Sequence, residues 1–387
     1  MDRPSGDRPV QSSGNVTSQT RIARLKEVVI GRALLSDSFV LYLSVAYFVV
    51  LWVFLPRLGS ARNLSNLSSN IWPLLVLVIG QMFVLIVGGI DLSQTSIMAI
   101  TSVCGALMMT SGLDPELFAA NPLWGVFIGE QGGPAGGSVA AAPVGIAFML
   151  AIGTLIGSAN GLAVARLKMP PFMVTLVSMF FFSGLAIFIT RSENVRNLPD
   201  AFLAVGQNYL GRVPTARGPV GLVPYSFFAA LALAVAAWFV LARTILGRWL
   251  YAVGMNRRAA TVSGVPTDRV IVWAYAVSGF CAALGSVLYS SRLGAGRPTL
   301  GENVLLDIIG AAVIGGISLF GGKGKVRWAF YGVLFFVLLD SSLYMLNLKF
   351  YTVNIVKGVV ILVAALLDVL RNRIRLGWAP TGRAVTA

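Results

Sequence analysis

Residues 88–100 have the sequence GGIDLSQTSIMAI and place the carboxylate of Asp91 between two strongly apolar runs. A carboxylate is costly in an apolar setting unless hydrogen-bond donors or opposite charges satisfy it. The chain around it is unusually apolar: 56% of its 387 residues are hydrophobic, only 12% are charged, and the mean hydropathy is +0.80. Soluble domains do not have this composition.

Apolar stretches of about 20 residues recur along the chain, and each is long enough to cross the ~30 Å hydrocarbon layer as a helix. The fold class is therefore all-α and polytopic. The alternating ten-residue segments of a membrane β-barrel are not found in the sequence. We predict ten spans, at approximately 37–56, 71–89, 93–112, 139–165, 171–190, 222–242, 270–290, 304–320, 328–347 and 352–370.

The flanking segments complete the expected domain organisation. A single transmembrane domain covers 37–370, between a mobile cytoplasmic tail at 1–36 and a cytoplasmic tail at 371–387. Twenty of the 30 lysines and arginines fall on the side of the tails, and nine fall in the loops of the opposite side. Because positive residues collect in the cytoplasm, both termini are predicted there. The net charge of +15 thus reflects topology, not nucleic-acid binding.

Enzymatic chemistry is disfavoured. The chain has no histidine, the commonest general base and zinc ligand. The lysine-bearing stretch GGISLFGGKGK at 315–325 fails the phosphate-loop pattern, because Ile317 replaces its first glycine and Gly324 replaces its Ser or Thr. Cys104 and Cys281 lie within apolar spans, so no structural disulfide is expected. We expect no enzyme activity, metal or cofactor, and ATP hydrolysis on another chain.

The opening stretch has the pattern of a helix end followed by a helix start. Gly88 and Gly89 can end a helix in the left-handed conformation. Asp91 followed by Gln94 gives D-x-x-Q, a close relative of the capping box. We expect Asp91 to accept the free amides of the next helix, with direct contact to a substrate as the alternative.

The glycine turn at 315–325 shares G-G-I-x-L with this stretch and joins spans eight and nine. Spans two to five and seven to ten have opposite orientations in the predicted topology. We therefore expect an inverted repeat, as in many transporters. The glycines assigned to the two turns are Gly88, Gly89, Gly315, Gly316, Gly321 and Gly322.

The loop at 243–269 contains a short predicted helix, which Asn256 starts and Gly264 ends. Its small apolar face consists of Ala259, Ala260 and Val262. This helix is expected either to dock a cytoplasmic partner or to lie on anionic lipid. The residues assigned to docking are Asn256, Arg257, Arg258, Ala259, Ala260, Ser263 and Gly264.

These motifs together resemble the permease subunits of ribose-type ATP-binding-cassette importers, which carry monosaccharides into bacteria. The resemblance covers roughly residues 60–370. Its five stretches are GGIDLS at 88–93, IGSANGLAVARLKMPPFMVTL at 156–176 with SGLA at 183–186, GRWLYAVGMNRRAATVSGV at 247–265, AAVIGGISLFGGKGK at 311–325 and VKGVVILVAALLD at 356–368.

The resemblance implies a permease of the bacterial inner membrane with the fold of vitamin B12 importers, for a monosaccharide or related polyol. It also implies a cytoplasmic ATPase, a periplasmic or lipid-anchored sugar-binding protein, and a second permease copy, identical or related. Amino acids or nucleosides are the alternative substrates within the wider superfamily. An ion-coupled secondary transporter and a membrane enzyme are more distant alternatives.

The chain departs from the usual family pattern where polar groups are expected to line the pathway. Gln94 and Thr95 replace Val-Gly, Gly80, Gln81 and Met82 replace G-M-T, Leu305 replaces a glutamate, and Asp340 and Ser341 replace an amide pair. These departures leave the identity of the sugar open. The residues assigned to the pathway are Gln81, Asp91, Asn160, Ser178, Asp340 and Tyr344.

Asp340 is the acid placed most deeply in an apolar span, and Lys357 in span ten is its candidate partner. Both are predicted to lie roughly 8 to 10 Å below the outer surface. Asp340 therefore either pairs with Lys357 and locks two spans together, or faces the pathway and accepts hydrogen bonds from sugar hydroxyls, or is protonated.

Overall fold

The computed structural model describes residues 36–215 and 218–377, with side chains as far as residue 366. The expected N-terminal tail, apart from Ser36, lies outside these residues. The described helices are α1 (Phe39–Phe54), α2 (Ala61–Ile86), α3 (Gln94–Met109), α4 (Pro115–Phe118), α5 (Ala141–Ala165), α6 (Pro171–Thr190), α7 (Asp200–Gln207), α8 (Ser226–Arg243), α9 (Ile245–Met255), α10 (Arg257–Val262), α11 (Thr267–Leu293), α12 (Leu305–Gly315), α13 (Val326–Met345) and α14 (Phe350–Gly377). Strands β1 (Tyr209–Val213) and β2 (Val220–Pro224) form an antiparallel hairpin.

Six of these helices, α2, α5, α6, α8, α11 and α13, are long and apolar enough to cross a membrane. Four shorter apolar helices, α1, α3, α12 and α14, lie at the other four predicted positions. The protein is thus a polytopic helical membrane protein, and the count of ten spans stays a prediction. Helix α12 stops before residue 320 because Gly316 adopts the left-handed conformation, with φ of 96°. Helix α14 continues past residue 370 into the expected tail.

Helix α2 forms the centre of the bundle, and nearly all of its apolar part is buried. The most extensive helix contact joins α5 to α11. Gly153, Gly157 and Gly161 recur at every fourth position of α5 and lie against the backbone of α11, where a Cβ on Gly157 would overlap the Tyr275 carbonyl oxygen. Small residues at this spacing let two helix backbones touch inside a membrane.

The loops collect at two ends of the bundle. The first end holds the loops 87–93, 166–170, 244–266 and 316–325. There the Arg257 guanidinium donates to the Ala165 carbonyl at 3.2 Å. The second end holds the loops 110–140, 191–225 and 294–304. There Ser111 N donates to the Asn197 carbonyl at 3.0 Å, and Val195 forms a β-bridge with Gly296. Spans that cross the membrane in alternating directions require this division of their loops between two ends.

The helix contacts follow a repeated pattern. Helix α5 packs on α11 as α13 packs on α2, and α3 packs on α11 as α12 packs on α2. Helix α3 also packs on α6 as α12 packs on α14. An inverted repeat of spans two to five and seven to ten would give these contacts.

The shared letters G-G-I-x-L are not evidence for that repeat. Gly322 N donates to the Ile86 carbonyl at 2.9 Å, so the two glycine turns touch at the first end. In an inverted repeat, the turn between spans two and three corresponds to the connection between spans seven and eight, at the opposite end. The two turns therefore do not correspond to each other in the repeat.

The charge distribution and the two groups of loops together predict the side of each end. In cells, Asp114→Cys and Glu193→Cys at the second end should react with a membrane-impermeant maleimide added outside. Arg258→Cys at the first end should react only after permeabilisation, because this end is expected in the cytoplasm. The native Cys104 and Cys281 are half-buried and buried, which keeps the background low. The reverse labelling pattern would overturn the orientation.

Candidate functional site

Asp91 lies in the turn between α2 and α3 with 1% of its surface exposed. Its Oδ1 accepts hydrogen bonds from Ser93 N at 2.9 Å and Ser93 Oγ at 2.5 Å. Its Oδ2 accepts one from Ser278 Oγ of α11 at 2.6 Å. The Gln81 amide of α2, in the orientation that satisfies its neighbours, donates to the Asp91 carbonyl at 3.0 Å and accepts from Asp91 N at 3.3 Å. The turn is thus fixed through both its side chain and its backbone.

The hydrogen-bond partners predicted for the Asp91 and Gln94 side chains are wrong. Helix α3 begins at Gln94, where the D-x-x-Q pattern indicates a start, but Ser93 is the N-cap residue. Asp91 bonds the amide that precedes the helix rather than the free amides within it. Gln94 does not reach back to the turn, because its Nε2 donates to Ser278 Oγ at 2.8 Å.

Two further helices join this cluster through Asn160 of α5. Its Nδ2 donates to Ser93 Oγ at 2.9 Å and to Ser178 Oγ of α6 at 3.1 Å. Thr175 of α6 donates to the Ile90 carbonyl at 3.2 Å. We call this cluster the polar junction; its members are Gln81, Asp91, Ser93, Gln94, Asn160, Thr175, Ser178 and Ser278.

The structure therefore brings together four of the six residues assigned to the pathway, namely Gln81, Asp91, Asn160 and Ser178. Each is less than a tenth exposed. They are joined by hydrogen bonds, in part through Ser93, and present very little surface to a substrate. Sequence reasoning missed Ser278, although a serine in the middle of an apolar span is itself a signal of a buried hydrogen bond.

A second charged cluster joins α12, α13 and α14 nearer the second end. Lys357 Nζ lies 2.8 Å from Asp307 Oδ1 and 2.6 Å from Asp340 Oδ1, and the lysine side chain is 5% exposed. The ion pair between Asp340 and Lys357, one of the sequence-based alternatives, is formed. Asp307 was missed as a third member, although an acid inside a predicted span signals a buried partner.

Two of the predicted pathway residues are accessible beside this charged cluster. The Asp340 side chain is 30% exposed and Tyr344, one helical turn later on α13, is 50% exposed. The single lysine neutralises only one of the two carboxylates. The cluster therefore offers hydrogen-bond acceptors, and a phenol beside them, to whatever occupies the space next to α13.

The loop at 243–269 contains two helices, α9 and α10, where one was predicted. The prediction for the boundaries of α10 is confirmed: Asn256 Oδ1 accepts from Ala259 N at 2.9 Å, and Gly264 follows the helix with φ of 81°. The predicted apolar face is wrong at Ala260, which is 5% exposed and packs against its own chain. Val262, which also belongs to the predicted face, is 86% exposed, and Met255, just before α10, is 79% exposed.

Helix α9 rests on both glycine turns. Tyr251 OH donates to the Gly324 carbonyl at 2.6 Å. Gly254 packs so closely on the Ile86 carbonyl and on Gly322 that a Cβ there would overlap them. The loop that carries α10 is therefore in direct contact with the segment that leads to Asp91.

The family model described as "Branched-chain amino acid transport system / permease component" matches residues 63–365. The chain belongs to this permease family. It is 31% identical over 317 residues to a ribose import permease of Haemophilus influenzae, which covers 81% of this permease and 87% of the relative. A ribose import permease of Bacillus subtilis is 33% identical over 320 residues, with 83% and 88% covered.

A xylose transport system permease of Escherichia coli is 30% identical to this permease over 365 residues, covering 81% of this chain and 86% of the relative. No solved structure matches the permease. Its family and its apolar helices identify it as a transport component of the inner membrane that crosses the bilayer several times.

Lys357→Met should strongly reduce the amount of folded permease, because it leaves two carboxylates without their cation. Removing one partner of a buried ion pair costs about 3 to 5 kcal/mol. Asp340→Asn should reduce stability less, since Lys357 still pairs with Asp307. Adding Asp307→Asn and Asp340→Asn to Lys357→Met should restore the yield of monodisperse protein on size exclusion. Lys349→Met, an exposed lysine just before α14, is the control. A normal yield for Lys357→Met alone would contradict a structural role.

Proposed function

We propose that the chain is the membrane permease subunit of an ATP-binding-cassette importer for a monosaccharide or related polyol, driven by a separate cytoplasmic ATPase. The observation that supports it most is that permeases named for ribose and xylose each match about four-fifths of the chain. The description of the family model names branched-chain amino acids, which keeps an amino-acid permease as the second candidate.

The proposed architecture has ten spans, an inverted repeat and the fold of vitamin B12 importers, with the first end and both termini in the cytoplasm. The repeated helix contacts support the repeat, and the charge distribution supports the orientation. A second permease copy encloses the pathway with this one. A periplasmic or lipid-anchored sugar-binding protein delivers substrate to the second end.

The ATPase is proposed to dock on α10 and the loop at 316–325. Met255, Val262 and Phe320 are large apolar side chains, each more than three-quarters exposed, at the first end. Such exposed apolar residues indicate a surface that a partner covers. Arg258, Ala259 and Ser263 are exposed beside them. Arg257 instead holds the helix in place, through the Ala165 carbonyl and an ion pair with Asp268 at 3.0 Å.

The substrate pathway is proposed to run past Asp340 and Tyr344, not through the polar junction. A sugar presents hydroxyl donors, and the carboxylate of Asp340 accepts them while Lys357 and Asp307 hold it in position. The polar junction is proposed to act as the joint that carries motion of α9 to the spans. Its members are enclosed and already bonded, whereas the charged cluster is open on one side.

Transport by the complete importer tests the function directly. Proteoliposomes with the permease, its ATPase and its binding protein should accumulate labelled ribose or xylose, or another pentose or polyol, when ATP is supplied at the ATPase side. Accumulation of leucine or isoleucine, with no uptake of any sugar, would establish the second candidate. Uptake driven by an ion gradient without ATP would remove the importer model.

Two neighbouring substitutions on α10 test the docking surface. Val262→Glu should leave the melting temperature of the permease unchanged but abolish co-purification of the ATPase, because a charge enters the exposed apolar surface. Ala260→Glu should instead lower the yield of folded permease, because that position is buried. Normal ATPase binding by Val262→Glu would indicate that α10 lies on lipid instead.

A further inference from the structure

A groove of about 610 Å³ opens between α5 and α11 at the first end, beside α10. Its inner wall is apolar and contains Leu162 of α5 with Val272, Trp273 and Ala276 of α11. Its mouth carries Arg166, directly after α5, and Arg269, in the first turn of α11. Thr261 of α10 also lines the groove, but Arg166 and Arg269 have no part in the roles proposed above.

The mouth of the groove has uncompensated positive charge. Within the described part of the chain, the side chains of Arg166 and Arg269 form no hydrogen bond or ion pair, and both residues are exposed. The acid in the groove lining, Asp268, is paired with Arg257 at 3.0 Å. Two guanidinium groups are therefore free to bind an anion, and their planar forks match phosphate oxygens.

The wall of the groove continues into the apolar exterior of the bundle. Leu162 is 40% exposed, and Leu155, two turns deeper on the same face of α5, is 68% exposed. Trp273 lies about 6 Å along α11 from Arg269 at 1.5 Å per residue. Tryptophan at this depth, below arginines, is typical of the boundary between headgroups and hydrocarbon. The groove is thus open to the lipid as well as to water.

We propose that this groove binds an anionic phospholipid, with its phosphate between Arg166 and Arg269 and one acyl chain along Leu162, Val272 and Ala276. Basic pockets between membrane helices recognise such headgroups. An anionic lipid is favoured over a zwitterionic one, because the latter brings its own cation against the two arginines. The site requires only that the chain spans the membrane and does not depend on the transported sugar.

Brominated lipids, which quench tryptophan at contact, test the proposal in vesicles that contain the permease alone. The signal of Trp273 is the difference in tryptophan fluorescence between the native chain and Trp273→Phe. Brominated phosphatidylglycerol should quench this signal at a mole fraction on the order of tenfold lower than brominated phosphatidylcholine does. The double variant Arg166→Gln with Arg269→Gln should be quenched equally by the two lipids. Lys168→Gln with Arg258→Gln, which removes equal charge outside the groove, should keep the difference between them.

Equal quenching by the two lipids in the native chain would overturn the proposal without any further variant. A preference that survives Arg166→Gln with Arg269→Gln would overturn it as well. Inorganic phosphate that abolishes the preference, at an ionic strength matched with chloride, would assign the arginines to a free anion. Loss of quenching when the ATPase is added would assign the groove to a protein interface.

Discussion

The buried carboxylate of Asp91 needs hydrogen-bond donors, and the structure supplies them from its own turn and from a helix that is distant in the sequence. Ser93 and Ser278 supply the hydrogen bonds to the side chain, and Gln81 holds the backbone of the same residue. An unsatisfied buried polar group costs about 1 to 3 kcal/mol. Five helices, α2, α3, α5, α6 and α11, are therefore held in one arrangement around a single turn.

The same turn connects the membrane interior with the first end. Ile86, five residues before Asp91, accepts a hydrogen bond from Gly322, and α9 packs against both. The exposed surface around Val262 is thus linked to the polar junction by continuous contacts through α9. The contacts consist of backbone and small residues, and such close packing is the property that the proposed transmission of motion requires.

The helices could be predicted from sequence because lipid requires long apolar segments, and the apolar helices lie near the predicted positions. Helix α9 was missed because it lies in a charged loop and does not span. The orientation of Ala260 was also missed, since a helix of six residues is too short for periodicity to identify its buried face. The hydrogen-bond partner of Asp91 on α11 could not be predicted for a different reason. Ser278 is 187 residues away, and no local pattern connects two such positions.

The most direct test of the central claim, that Asp91 holds the bundle together, is the melting temperature of purified Asp91→Ala beside that of Asp340→Ala, with sugar uptake measured on both. Asp91→Ala leaves the Ser93 amide and the Ser278 hydroxyl without their acceptor. We expect it to lower the melting temperature by at least ~3 °C. Asp340→Ala should have the smaller effect on melting. Unchanged melting of Asp91→Ala together with lost uptake would contradict the account and place Asp91 in contact with the substrate.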